Sequence, residues 1–548
     1  MKRPLLLVVL AAALVGAAYG RSPVAPFESD ADPSPRGRID ELVFARLKQL
    51  GIAPAGLCSD GVFVRRVYLD VTGTLPTADE ARQFLGDTDP EKRRKLIDRL
   101  LERDEYVDYW TMKWCDLLRV KSEFPINLWP NAVQAYHRWI RTCVKRNMPY
   151  DRFAREMLTA SGSNFRRPQV NFYRAVQSKD PQALAQAVAL SFMGVRPQTW
   201  TSERWSGMAA FFSQIAYKPT GEWKEEIVVW DLDKAATPEA AKTLAAAAFP
   251  DGTPARVAPG QDPREAFADW LIRPENPWFT RHIANRMWYW LLGRGVIHPA
   301  DDLRPDNPPS NPELLACLEQ ELIASRYDLK HLIRLILNST TYQFSHLPSP
   351  ARGRGVGGEG VSPAAEDPRL EANFACYPLR RLEAEVLIDA LCQITGTTEQ
   401  YSSIIPEPYT FMPDNQRAVS LADASITSPF LEKFGRSSRD TGMESDRNNR
   451  PTAAQRLHLL NSSHIRRKLE AGPKLQPLLR AAGRTREETE KRRDEAVREL
   501  YLTILSRLPT EDEMQVVKTY AQTGSGRGTV LRDLAWALVN SPEFSYRH

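Results

Sequence analysis

Tyr68-Leu69, Leu75-Pro76-Thr77 and Asp79-Glu80 return with the same internal spacing as Tyr501-Leu502, Leu508-Pro509-Thr510 and Asp512-Glu513. Identities held at one fixed offset, near the two ends of the chain, constrain the fold more than composition does. They indicate one supersecondary unit used twice. The residues also say what the unit is: an apolar helix stops at Leu-Pro, and a second helix starts with a capping box. In that box Thr77 or Thr510 accepts from the N3 amide, and Glu80 or Glu513 reaches back to the Thr N–H. Such a unit is architectural and carries no reaction of its own.

Lys2 and Arg3 precede the apolar run Leu5 to Val15, and small residues around Ala18-Tyr19-Gly20 offer a cleavage site. This is the three-part pattern of a secretory signal peptide over residues 1–20, so the chain is expected to be exported, to the periplasm or beyond. An uncleaved amino-terminal anchor is the competing reading. The run is shorter than the roughly 20 apolar residues of a membrane span, and no later segment approaches that length, so no span is expected after cleavage. No Cys sits at the cleavage site, which argues against a lipid anchor. The 73 basic and 68 acidic side chains are interspersed, so there is no electrostatic footprint for nucleic acid. Six cysteines (Cys58, Cys115, Cys143, Cys317, Cys376, Cys392) form no C-x-x-C and no Cys/His cluster at zinc spacing. Buried free thiols and one or two disulfides both fit.

The pattern predicts a mainly α protein of two helical domains, with a minor β element in the middle region. After a flexible lead over 21–37, a helical domain runs over 38–220 and an irregular connector over 221–261. A second helical domain covers 262–548. Ile39, Leu42, Val43, Leu47 and Leu50 share one helix face that Gly51 closes, and amphipathic runs recur through Tyr106–Val120, Leu379–Ile394 and Thr485–Ser506. Glu226–Trp230 is the best strand candidate. Residues 347–367 are Gly and Pro rich and predict a disordered insert. Their formal G-x-G-x-x-G at Gly353, Gly355 and Gly358 lacks the strand and helix a dinucleotide site needs. Residues 401–450 read as disordered or as a long ordered loop.

No G-x-S-x-G, H-E-x-x-H, Walker or EF-hand pattern occurs. Carboxylates that could serve acid–base chemistry stand at Asp70 and at Asp301-Asp302, with capping or ion pairing as the plainer role. Trp110 and Trp114, at i and i+4, could stack on sugars, but their spacing suits a core face better. Arg65-Arg66 and Arg380-Arg381 could hold anions bidentately, or pair internally with Asp70 and Glu383.

Several stretches together resemble a known family. Ile39-Asp40, Arg65 to Gly73, Leu75-Pro76-Thr77, Trp114-x-Asp116-Leu117 and Met148 to Phe153 resemble the amino-terminal half, DUF1549, of the planctomycete-type cytochrome-associated proteins. Asn276-Pro277, Asn285-Arg286-x-Trp288, Gly293-Arg294-Gly295, Asp301-Asp302 and Arg380-Arg381-Leu382-Glu383 resemble its usual partner, DUF1553. The resemblance spans nearly the whole mature chain and implies no defined reaction. It adds Asp116 to Asp70, Asp301 and Asp302 as acid–base candidates. Arg65, Arg66, Trp114, Asn285, Arg286, Trp288, Arg380, Arg381 and Glu383 become the binding candidates.

Many relatives carry C-x-x-C-H, a covalent haem attachment signature, between a Gly-Val stretch and an aromatic Ala-Ala-Phe-Phe stretch. Here Gly194-Val195 runs through Gln198-Thr199-Trp200 to Ala209-Ala210-Phe211-Phe212 with no Cys or His. Neither the thioether links nor the axial ligand can form. A C-x-C that relatives often place before an Arg is replaced by Met443-Glu444-Ser445-Asp446-Arg447. No haem or other cofactor and no metal site is therefore expected. The leading expectation is an exported binding or scaffold component of the cell envelope, with an envelope protein or polysaccharide as partner. The alternatives are an enzyme acting on polysaccharide through paired carboxylates, and an electron-transfer accessory.

Overall fold

The computed structural model describes residues 26–258, 260–346, 367–406, 408–410, 412–480, 485–522 and 527–548. The stretch read as a signal peptide, the first part of the expected lead and residues 347–366 of the expected insert lie outside them. The protein is mainly α, with two small antiparallel sheets. Helix α1 (Arg38–Leu50) ends where its sequence predicts, at Gly51 in the left-handed region (φ 66°). Then come α2 (Asp60–Val71), α3 (Ala78–Gly86) and α4 (Asp104–Leu117), whose Trp110 and Trp114 are both core residues.

In the middle region β1 (Gly162–Ser163), β2 (Ile215–Pro219) and β3 (Glu226–Trp230) form a sheet in the order β1-β3-β2. The hairpin runs in register from Ile215 opposite Trp230 to Pro219 opposite Glu226. The predicted strand is thus the central one. The dense aromatic helix α5 (Phe279–Leu292) follows.

The sequence predicts a helix from Leu379, but Arg380–Arg381 form strand β4 and helix α6 starts at Ala384 (Ala384–Thr395). Two later helices, α7 (Arg486–Leu505) and α8 (Glu511–Gln522), precede strand β5 (Tyr546–Arg547). Arg380 pairs with Arg547 and Arg381 with Tyr546 across β4 and β5. The extended backbone sends the two neighbouring Arg side chains to opposite sides, which a helix could not do. One reaches Asp70 and the other Gln455.

Both copies of the repeated unit adopt the predicted form, α2–turn–α3 and α7–turn–α8. Glu80 N donates to Thr77 Oγ1 at 3.2 Å and Thr77 N to Glu80 Oε2 at 2.8 Å. The second box has 3.2 and 2.7 Å for Glu513 and Thr510. Each capping Glu is also hydrogen-bonded to the unit's Tyr and paired to an Arg that stands over the Tyr ring. Arg103 does this at 5.6 Å from the Tyr68 centroid, Arg507 at 5.3 Å from Tyr501. The Arg comes from a different sequence position in each copy.

The copies also dock on each other. Gly61 at the start of α2 approaches Arg507 so closely that an added Cβ would lie 3.0 Å from the Arg507 Cβ. Arg65 donates to the Ile504 carbonyl at 2.9 Å, and Arg82 on α3 pairs with Glu499 on α7. One continuous apolar cluster runs from Ile39 to Phe544, so the two halves share a core. All six thiols are free, four of them buried. The described part of 401–450 is an ordered loop with short helical turns at Ala418–Ser420, Pro429–Lys433 and Glu444–Asp446.

Candidate functional site

A cavity of about 660 Å³ opens where both halves and the last strand meet, within the size range of small-ligand sites. Helix α4 presents Lys113, Asp116 and Leu117 to it, and α5 presents Arg286, Tyr289 and Trp290. Both sets follow i, i+3, i+4 spacing and so lie on one helix face. Asn285 and Trp288 belong to the other side of α5. The Asn285 amide exchanges two 2.9 Å hydrogen bonds with the Ile297 main chain, and Trp288 packs edge-on against Phe374. Gly293 ends α5 at φ 76°, and a Cβ there would lie 2.0 Å from Arg380 Cδ. Without a side chain at that point, Arg380 can cross the helix end and donate to the carbonyls of Trp290 (3.2 Å) and Leu291 (2.6 Å), where the helix dipole favours a cation.

The charged wall is built from two alternating chains. In the first, Lys113 lies 3.3 Å from Glu383, Glu383 2.6 Å from Arg547, and Arg547 2.9 Å from Asp70, which Arg380 also reaches at 3.1 Å. In the second, Arg436 faces Glu385 at 3.4 Å, and Glu385 meets Arg447 at 2.6 Å. Arg447 and Arg439 then share Asp116 at 2.7 and 2.9 Å. Burial pushes the Asp116 carboxyl up, but Arg447 and Arg439 outweigh it and hold it below the usual range. Glu383 is likewise held well below its ordinary value, as Arg547 and Lys113 outweigh burial. Burial brings the Lys113 ammonium down to about 8 despite Glu383. Tyr289 donates to Glu444, and burial keeps its phenol neutral.

The sequence candidates divide clearly. Asp116, Arg286, Arg380, Arg381 and Glu383 line the cavity. Asp70 lies behind the wall, where its oxygens accept from the Tyr342 and Tyr377 hydroxyls at 2.8 Å as well as from Arg380. Arg65 and Arg66, read as anion binders or as internal partners of Asp70 or Glu383, are interior groups that donate to main-chain oxygens of Ile504, Phe544, Tyr342 and His548. Trp114 is a core residue, edge-on to Trp290 at 5.4 Å. Asp301 is taken by Arg196 at 2.5 Å and by the Glu444 N–H at 3.0 Å, and Asp302 lies 3.3 Å from Arg304. Sequence reasoning does not single out Lys113, Tyr289, Arg439 or Arg547. Lys113 and Asp116 at i, i+3 were a readable signal, whereas Arg547 is distant in sequence from everything it touches.

Residues 38–215 match the family model PSCyt2, Protein of unknown function (DUF1549), and residues 263–521 match PSD1, Protein of unknown function (DUF1553). The chain belongs to the DUF1549–DUF1553 family. No curated protein and no solved structure matches it. The DUF1549 region contributes Lys113, Asp116 and Leu117 to the cavity, the DUF1553 region most of the rest, and β5 closes it from beyond both matches. The two stretches that the sequence reading singled out at Gly194–Phe212 and Met443–Arg447 are neighbours in space. Arg196, just after Gly194-Val195, holds Asp301, and Asp301 holds the amide of Glu444 in the Met443–Arg447 stretch.

A second exposed feature lies apart from these groups. Trp129 meets Trp223 at 6.3 Å and Tyr409 at 5.6 Å between ring centroids, with Lys224 at 5.3 Å from both indoles. Trp223 is 66 % exposed, and Phe124 and Ile404 are exposed on adjoining loops, so this is an apolar surface of the kind that marks contact sites.

Proposed function

We propose that this DUF1549–DUF1553 protein is an exported, haem-less binding component of the cell envelope, and that it holds its ligand in the cavity between α4, α5 and the Met443–Arg447 loop. The observation that carries the reading is the state of the cavity carboxylates. Hydrolysis by paired carboxylates needs one carboxyl kept protonated as the acid. Asp116 and Glu383, two of the three acids on the cavity wall, are instead both held ionised by Arg and Lys partners, and the third, Glu444, accepts from the Tyr289 hydroxyl. They are spent on shaping a wall. The Trp129–Trp223–Tyr409 cluster, in which Trp223 and Tyr409 are exposed, supports a contact role, since an exposed aromatic ring can stack on a saccharide. The absence of Cys and His between Gly194 and Phe212 supports the haem-less part.

The test uses the mature chain, expressed with a cytochrome maturation system and presented to an array of envelope and extracellular polysaccharides. Expected are retention on a subset of glycans, no new reducing ends after prolonged incubation, and no Soret band. Release of reducing ends that Asp116→Asn abolishes would replace this reading with the enzymatic one. A stoichiometric covalent haem would overturn the haem-less assignment.

A further inference from the structure

Basic side chains outnumber acidic ones seven to three on the cavity wall. Most of the cations have carboxylate partners: Lys113 and Arg547 face Glu383, Arg380 faces Asp70, and Arg447 faces Asp116 and Glu385. Arg286 does not. It is 2 % exposed, its Nε has no hydrogen-bond partner among the described residues, and no described carboxylate lies within ion-pair distance of it. Among the described residues its one side-chain hydrogen bond is Nη2 at 3.3 Å from His282 Nε2. Since Arg can only donate, this nitrogen must accept, so His282 is a neutral imidazole, as its burial and the Arg286 charge also require. Burial pushes the Asp301 carboxyl up, but the Arg286 charge first, then the Glu444 amide and Arg196, hold it below its ordinary range; its direct contacts are to Arg196 and the Glu444 amide, so Arg286 acts on it without an ion-pair contact.

A buried guanidinium with no acid in contact and an unsatisfied N–H is costly, and proteins keep such groups paired. Here the cation faces a cavity with room for a ligand. A planar fork of N–H donors matches the oxygens of a carboxylate, sulfate or phosphate. We infer that the cavity takes a ligand carrying an oxyanion, that Arg286 is the group that holds this oxyanion, and that the protein therefore selects acidic over neutral saccharides. The oxyanion site stands on the cavity alone; the saccharide part rests on the binding reading above.

Isothermal titration of the mature chain at constant ionic strength, with chloride as the balancing anion, tests both. The ligands are glucose, glucuronate, a sulfated glucose, inorganic sulfate and inorganic phosphate. The expected result is at least tenfold tighter binding of glucuronate or the sulfated sugar than of glucose, with the preference lost in Arg286→Met. Because Arg286 also acts on Asp301 through space and donates to His282, the ligand-free melting temperature of Arg286→Met serves as the control that the variant is folded. Equal binding of glucose and its acidic forms overturns the oxyanion inference and leaves the binding reading standing. Binding of inorganic sulfate or phosphate at Arg286 with no saccharide bound supports the oxyanion site and removes the saccharide part. A folded Arg286→Met that keeps the preference overturns the assignment. If that variant does not fold, crystals of the unaltered protein soaked in selenate decide: an anomalous peak within hydrogen-bond distance of the Arg286 guanidinium supports the inference, and none there overturns it.

Discussion

Glu383 joins the two halves of the molecule at the level of single charges. Its carboxylate neutralises Lys113 from α4 and Arg547 from β5, all three in the interior. Removing one member of a buried charge cluster strands the others, which costs about 3–5 kcal/mol. Glu383→Gln is therefore expected to lose stability on that scale in urea unfolding, and a loss below about 1 kcal/mol, the scale of an exposed pair, would show the cluster to be solvated. The pH dependence has a defined sign. Because the folded carboxyl titrates well below its ordinary value of 4.5, its contribution is complete above that value and is lost as pH falls toward the folded value. The variant should lack this part of the acid limb of the stability curve. Asp389 works in the opposite sense. Burial raises its carboxyl from 3.8 to about 6, so its contribution is complete below 3.8 and is lost as pH rises through about 6.

At the scale of elements, the repeated unit was the part of the fold most legible in sequence, because a capping box is local: its donors and acceptors lie within three residues. Thr77→Ala and Thr510→Ala should each cost roughly 0.5–2 kcal/mol, measured by denaturant unfolding, and a copy that does not respond would show its box to be idle. The Glu side chains should not respond alike. Arg507 grips Glu513 through two nitrogens at 2.8 Å in the interior, whereas Arg103 and Glu80 are each 31 % exposed. Glu513→Ala should therefore cost more than Glu80→Ala, and the reverse order would sink this account of the clusters. Local pattern also gave the central strand Glu226–Trp230 and the closure of α1 at Gly51. It failed at Leu379–Glu383, where apolar periodicity suggests helix. The pairing of Arg380–Arg381 with Tyr546–Arg547 overrides it, and no window of sequence contains both strands. The site shows the same divide. Arg286, Arg380 and Glu383 were readable as motif residues, but not which face of α5 looked into a cavity, nor that Arg547 would complete the wall.

At the scale of the whole molecule, the last helices and strand fold back onto the first repeat, and the ion pairs cross with them. Asp70 finds its partners at Tyr342, Tyr377, Arg380 and Arg547, all in the second half. Arg65 and Arg66 find their acceptors at Ile504, Phe544, Tyr342 and His548. If residues 26–261 were expressed alone, these three nearly buried charges would be left without partners on an uncovered apolar face. At about 3–5 kcal/mol for each stranded charge, the deficit is comparable to the 5–15 kcal/mol by which a typical domain is stable. The intact chain should thus unfold in one calorimetric transition, although its length alone would allow two independent domains. The 26–261 fragment should show neither a cooperative transition nor a dispersed amide spectrum until residues 262–548 are supplied. Two well-separated transitions in the intact chain, or an isolated fragment with native-like dispersion, would mean that the halves stabilise themselves. The cavity would then lie at a contact that can open, rather than in a wall fixed by a shared core.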